Sequence, residues 1–579
     1  MYKLHRMLMA VLICCYSAAL FAQTKADVVI AGVDQALEDN VRMYLGIEQQ
    51  KDNSLLTEAR LRRLHSKAEQ EIGQALQPFG YYRPVIVSEL TQQAPEHWLA
   101  SYHIDPGPAL RIGDFDFVIA GEMQDDPAIQ RLLEKLPLHE GDVFNQLVYE
   151  EFKASLARFA AERGYFNAHY IAHRVEVDLE NYEARIHLHY ASGPRSLFGD
   201  VQVQQTALDD DLVRRYITFE KGSPYTLNQL IDLQQAFNDS DYFLNVEVTP
   251  GEPTTDSNEI PVNVLLTPRT LHRYSFGLGY GSDTGARAKF GWQIPLLNSS
   301  GHKFDTETKI SELGYSVEAH YRVPVLNPRT DQMVYSGGVV NETTDTSEST
   351  VRTVGAGLNR SRGEWRESIS VNYQQEDFVV ATDSGSTTLI IPGVNWTRTW
   401  GNNFIYAIDG LRFDIGVRGA SKKLSSDISF TQLQGGIKAI SSLGSSDRMI
   451  ARGNLGRTWT EEFSELPSSL RFFTGGANSV RGYVYESLGP VDANGAVVGG
   501  QYLMIGSLEL DHSLSGKWGV AVFYDAGNAG NDITDKLARG AGVGLRWKSP
   551  VGPVRLDLAS ALSRDGQPWR VHINIGPDL

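Results

Sequence analysis

Four residues, Val480-Arg481-Gly482-Tyr483, stand in a glycine-rich stretch that begins at Arg471 and runs to about Val497. That is too long for a hairpin turn, and a guanidinium inside it calls for an anionic partner. Two later segments supply one. Glu509 shares a strand face with Ser507, opposite Leu508 and Leu510; Asp525 shares one with Ala521 and Phe523, opposite Val522 and Tyr524. Phe523-x-Asp525-x-Gly527 is the tight form of this second signal. If the stretch folds back onto those faces, Arg481 could reach both carboxylates, and bidentate pairing in a partly dehydrated space would fix its position. The ordinary alternative is a surface loop whose arginine faces water. The Gly475-Gly476 pair before Arg481 and the two same-facing carboxylates after it favour a lock built from Val480, Arg481, Gly482, Tyr483, Glu509, Phe523, Asp525 and Gly527.

A second constellation is weaker. His187-Leu188-His189 puts two imidazoles on one strand face, because side chains alternate with period two. His169 or His173 across a hairpin could complete a metal site. No acidic third ligand is fixed by the spacing, so a solvated polar face is the preferred reading and no metal is expected. There is no Gly-x-Ser-x-Gly elbow, phosphate-binding glycine loop or Cys/His cluster, so no enzyme activity, catalytic residue or cofactor is expected. A formal net charge of −17 argues against nucleic acid, whose phosphates need a positive footprint.

The elements that must carry these residues change texture along the chain. Residues 24–268 repeat with a period of about eighty. Gly107-Pro108 precedes Gly113-Asp114 at the spacing with which Gly193-Pro194 precedes Gly199-Asp200. Gly80-Tyr81-Tyr82, Gly164-Tyr165-Phe166 and Asp241-Tyr242-Phe243 recur after helical stretches. Phe152, Leu156, Phe159 and Ala160 predict a helix over Val148–Ala161. Alternation predicts strands at 114–119, 175–177, 184–190, 200–203 and 245–248. Each unit reads β-α-α-β-β, three times over.

From Tyr274 onward the pattern is one of alternating runs parted by Asn, Asp, Gly and Ser, and eight of the nine tryptophans fall there. Ala286, Ala288, Phe290, Trp292 and Ile294 oppose Arg287, Lys289 and Gln293; Val554, Leu556 and Leu558 oppose Arg555 and Asp557; Trp569, Val571, Ile573 and Ile575 oppose Arg570, His572 and Asn574. One apolar and one charged face, strand after strand, predicts an antiparallel transmembrane β-barrel with lipid outside and a polar lumen, of about sixteen strands. In the first of them Ser275, Gly277, Gly279 and Gly281 share the inner face. Glycine packs nothing and weakens a strand, so a seam between Gly277, Gly279 and Gly281 and the last strand's Ile573, Ile575 and Gly576 is a candidate lateral gate. The plainer reading is that the small residues leave room for the inserted loop. At the other end, the basic Met1–Arg6, the apolar Met7–Phe21 and a small residue at Ala22 read as a signal peptide over 1–22, which contains both cysteines, Cys14 and Cys15.

Tandem β-α-α-β-β repeats followed by a barrel carrying Val480–Tyr483 and Phe523-Tyr524-Asp525-Ala526-Gly527 resemble the outer-membrane assembly and two-partner secretion superfamily. The repeats look like its polypeptide-transport-associated (POTRA) domains, which would occupy 23–106, 107–192 and 193–268, with the barrel at 269–579. Three repeats, and a chain ending Gly576-Pro577-Asp578-Leu579, look like its translocation and assembly module branch, of TamA type. The resemblance implies a protein of the bacterial outer membrane with its N-terminal domains in the periplasm. It implies an assembly factor that helps insert or translocate autotransporters and other outer-membrane proteins through a lateral seam. Its partners would be unfolded outer-membrane protein substrates, outer-membrane lipids and a periplasm-spanning inner-membrane protein of TamB type. The competing expectation is a polypeptide export pore of the two-partner secretion type.

Overall fold

The computed structural model describes residues 24–253, 257–401, 406–549 and 552–575. The signal-peptide segment and Gly576 lie outside the described residues. The chain divides into two compact units. One holds the described residues through Asp200 together with Phe219–Leu230 and Pro250–Val262; the other holds Val201–Thr218, Ile231–Thr249 and the chain from Asn263 onward.

Each repeat is a three-stranded sheet in which the last strand in sequence lies in the middle. In the second repeat the strand Arg111–Ala120 runs parallel to Glu183–Ala191, and His169–Asp178 runs antiparallel on its other side. The helix Gln146–Glu162 starts where the Asn145 side chain accepts from the Leu147 N–H at 2.9 Å. It buries Tyr149, Phe152, Leu156 and Ala160, one helical stripe, against Ala184, Ile186, Leu188 and Tyr190, one strand face. The first repeat is built alike from Lys25–Ala31, Val85–Ala94 and His97–Asp105, with the helix Glu58–Leu76 and two shorter ones. The third has strands Leu197–Gln204, Phe243–Pro250 and Glu259–Pro268 with helices Asp210–Arg214 and Leu227–Asp239. The recurring landmark is a backbone device. Gly80 and Gly164 both have φ +87°, and Asp241 has φ +62°, so each helix is turned out through a left-handed residue into the next strand.

The barrel is one sixteen-stranded antiparallel sheet in strict sequence order. Its first strand is Arg273–Gly281 and its last Trp569–Ile575. Among the described residues no helix is long and apolar enough to cross a membrane. Barrel strands satisfy their backbone groups between one another. Phe276 is 81 % and Leu278 92 % exposed on the outer face, which hydrocarbon covers. The odd-numbered strands end at the rim away from the one at which the first strand begins. There the eleventh strand, Asp447–Trp459, gives way to an excursion over residues 460–501 before the twelfth, Tyr502–Ser515.

Candidate functional site: a loop bound inside the barrel

The excursion turns into the lumen, and Arg481 is 2 % exposed. Its Nε and Nη2 donate to the two oxygens of Asp525 at 2.7 and 2.9 Å, a fork-to-carboxylate match. Nη1 donates to Glu509 at 2.6 Å and to Asp557 at 3.0 Å. The guanidinium lies 3.4 Å from the centre of the Phe523 ring, and the Arg481 backbone N–H adds a bond to Asp525 at 3.1 Å. Arg546 donates to Glu509 at 2.8 Å and Asp557 at 2.5 Å, and Arg448 to Asp511 at 2.8 Å. The carboxylates thus face several fixed cations, which offsets the cost of removing them from water.

Strand order explains how four strands converge on one side chain. Ser507 lies opposite Asp525 in the ladder between the twelfth strand and the thirteenth, Trp518–Gly530. Asp525 lies opposite Gly540 in the fourteenth, Ala538–Ser549. Asp557 points inward from the fifteenth, Gly552–Ala561. A Cβ at Gly540 would stand 2.0 Å from the Arg481 carbonyl oxygen, and one at Gly542 2.6 Å from the Phe523 ring. Room for the loop is therefore made by glycines of the fourteenth strand.

The neighbours of Arg481 hold the tetrapeptide by its backbone. Gly482 has φ +96°; its N–H donates to His572 Nε2 at 2.9 Å, and a Cβ there would meet the Ser560 carbonyl carbon at 2.8 Å. Tyr483 Oη donates to the Arg539 carbonyl at 3.2 Å. Val480 is fully buried beside Gly527. Just before the tetrapeptide the loop meets both sides of the seam. Asn574 of the last strand donates to Asn478 at 2.7 Å, and the Ala477 N–H donates to Asp283, just after the first strand, at 2.7 Å.

The loop's base is fastened separately. Glu376 of the seventh strand, Trp365–Val380, is fully buried and accepts from Ser468 Oγ at 3.0 Å and the Ser469 N–H at 3.1 Å. Gln432 donates to the Leu470 carbonyl at 2.8 Å. Arg471 reaches Asp383 at 3.1 Å and the carbonyls of Leu466 and Val498 at 2.7 and 3.0 Å.

At the seam the first and last strands lie side by side, but among the described residues no ladder joins them. Ser282 N–H donates to the Ile573 carbonyl at 3.3 Å, Ile573 N–H to Ser282 Oγ at 3.3 Å, and Arg287 to the Ile575 carbonyl at 3.3 Å. The space over Gly277 and Gly279 is bordered by Lys289 and Arg287 of the second strand, Gly285–Ile294, rather than by the loop. Gly281 lies nearest Thr284, with the Ile573 carbonyl oxygen 3.9 Å from where its Cβ would be.

The histidine pair lies elsewhere. His189 Nε2 and His187 Nδ1 approach one Asp116 oxygen at 2.7 and 3.3 Å, and these bonds, His189's first, hold the Asp116 carboxyl below its usual range. The third residue thus comes from the parallel strand. Neither His173 nor His169 completes the group: Arg174 and Ala172 stand opposite His187 and His189, and His169 stands opposite Ala191. No group of three metal-ligating side chains suited to an ion occurs among the described residues.

Asp557, Arg546, His572 and the glycines of the fourteenth strand join this site although the lock assembled from sequence omits them. Gly540-x-Gly542-x-Gly544-x-Arg546 carries the signal, a strand face that is bare and then cationic.

A large antiparallel barrel with a polar, loop-filled lumen, preceded by three small α+β domains, is an outer-membrane barrel with periplasmic domains. The Omp85 superfamily domain matches residues 272–578, over half of the chain, and the chain belongs to that superfamily. Its first repeat matches the POTRA domain described as TamA domain 1 over residues 27–106, and the POTRA surface antigen variable number repeat matches 111–192 and 197–269. The barrel therefore sits in the outer membrane with the repeats in the periplasm. Among curated relatives, the outer membrane protein assembly factor BamA of Neorickettsia risticii is 23 % identical over 475 residues, 75 % of this chain and 61 % of that protein. Outer envelope protein 80 of Arabidopsis thaliana, chloroplastic, is 32 % identical over 117 residues, 18 % of this chain and 14 % of that one. The chain thus spans less than two thirds of the length of these relatives. The crystal structure of BamA from Haemophilus ducreyi lacking POTRA domains 1-3 superposes with a TM-score of 0.68 at 16 % identity, covering 81 % of this chain and 99 % of that one, a likeness of fold.

Proposed function

We propose that this chain is a non-enzymatic outer-membrane assembly factor that helps insert or translocate autotransporters and other outer-membrane proteins through its seam. The observation that carries this reading is the seam itself: two adjacent strands that no ladder joins among the described residues, bridged by loop residues 477 and 478. An unpaired strand edge is a template for another strand, so an incoming substrate strand can add to it by backbone hydrogen bonding. Arg481 holds the loop in register with the seam while its base, on Glu376 and Arg471, stays put. The match of the first repeat to a TamA-type POTRA domain supports the translocation and assembly module branch, and with it a periplasm-spanning TamB-type partner.

The test is a pulse-chase in cells lacking this protein, following surface exposure of an autotransporter by protease shaving. Delayed exposure, restored by the intact chain but not by Arg481→Ala at equal membrane level, is the expected result. Normal kinetics without the protein would contradict the reading and turn attention to an export pore with its own dedicated substrate.

A further inference from the structure

On the outer wall, away from the seam, the ninth to thirteenth strands enclose a groove of about 510 Å³. That lies within the roughly 300–1,000 Å³ of small-molecule sites. Its floor is made by missing side chains. Gly453 lies opposite Gly506 in one ladder, and Gly435 lies opposite Leu455 in the next. Its walls include Leu433, Ile437 and Leu455, which are 38 %, 48 % and 59 % exposed on the lipid side. In a transmembrane barrel hydrocarbon must cover such a surface, and a groove of this volume has room for part of an acyl chain.

The groove opens toward the turn after the thirteenth strand, at the rim where the odd-numbered strands end and away from the periplasmic side, and so lies in the outer leaflet. At that mouth stands Arg457, exposed, with its guanidinium 4.6 Å from the Trp459 ring and 5.0 Å from the Tyr502 ring. Two aromatic faces hold the cation at interface height. Two acids, Asp532 and Asp535, line the same groove, and each is held by donors of its own turn. Asp532 accepts from the Thr534 N–H and Oγ1 at 2.9 and 2.7 Å, and Asp535 accepts from the Asn531 and Asp532 N–H groups at 2.8 and 3.0 Å. A fixed arginine above an apolar slot is complementary to a phosphate above an acyl chain.

We propose that this groove is a binding site for a phosphorylated acyl glycolipid of the outer leaflet, of lipid A type, with an acyl chain over Gly435 and Gly453 and a phosphate on Arg457. The site lies on the ninth to thirteenth strands, away from the seam.

The experiment uses the full chain purified in mild detergent, titrated with lipid A, phosphatidylglycerol or phosphatidylcholine and read by native mass spectrometry. The expected result is one lipid A bound, with preference over both phospholipids and affinity about tenfold lower in Arg457→Gln, the loss of one charge-assisted contact. Gly453→Leu, which fills the slot without changing charge, should weaken binding similarly; Met504→Trp, which narrows the slot from the lipid side, serves if that variant does not fold. Heat-modifiable gel mobility establishes that each barrel is intact. Equal lipid A binding by wild type and variants, or equal binding of either phospholipid by the wild type, would overturn the proposal.

Discussion

Arg481 sits among three carboxylates, so its loss leaves more behind than a missing contact. Arg481→Ala leaves Asp525 facing Arg452 at 4.0 Å in place of a bidentate fork. Breaking a buried pair costs about 3–5 kcal/mol, and here the cost falls on loop docking rather than on the barrel ladders. We expect residues 474–500 to become protease-sensitive in intact membranes while heat-modifiable mobility is unchanged; a loop as resistant as the wild type's would refute this. Arg481→Lys should rescue only partly, because an ammonium cannot make the planar fork. Gly482→Ala should release the loop as fully as Arg481→Ala, since its left-handed backbone costs about 1–3 kcal/mol for a non-glycine residue and the new Cβ would collide with Ser560. At this scale the pairing of Arg481 with Glu509 and Asp525 was open to inference, because both acids alternate in phase with small residues. The third acid was not: Asp557 lies 76 residues beyond Arg481, on a strand whose register with the others is set by its ladder with the fourteenth strand rather than by local pattern.

Helices and strands were legible wherever one face is buried. Phe152, Leu156 and Ala160 mark the helix Gln146–Glu162, and the sixteen alternating segments mark the barrel, because in each the solvent on the two faces differs. The joint after the second repeat's helix was visible only as Gly164. What fixes it is Asp126, 5 % exposed, which binds Arg163 at 2.6 and 2.9 Å and lies 3.7 Å from Arg195. Burial raises the Asp126 carboxyl, but the Ala128 N–H and the two guanidiniums outweigh it and hold it below the usual range. A depressed folded value means its stabilisation is complete above the unfolded value of about 3.9 and is lost as pH falls through the lower folded one. Hydrogen exchange on the whole chain should therefore find amide protection in this repeat level from pH 7 to about pH 5 and weakening only below about pH 4. Asp126→Asn should lower protection throughout, by about 1–3 kcal/mol, and flatten that dependence. Protection in Asp126→Asn equal to the wild type's would show that Arg163 and Arg195 are held by other means.

At the scale of the molecule, a loop anchored at its base on Glu376 and Arg471 reaches across the lumen to the strands flanking an unzipped seam. Opening the seam requires the contacts of residues 477, 478 and 481–483 to let go together with the bonds that Ser282 and Arg287 make to the last strand, while the barrel keeps its fifteen ladders. That asymmetry could not be read from local pattern, because the last strand alternates as well as any other. Its weakness lies in what it fails to pair with. The most direct measurement is a reversible lock on that seam: Ser282→Cys with Ile573→Cys, two positions already joined by hydrogen bonds at 3.3 Å, in a strain otherwise lacking this protein. Autotransporter surface exposure, followed by pulse-chase, should stall when the disulfide is closed and resume on adding reductant, with membrane level unchanged. Exposure at the wild-type rate with the seam shut would contradict lateral passage and with it the role assigned to the loop.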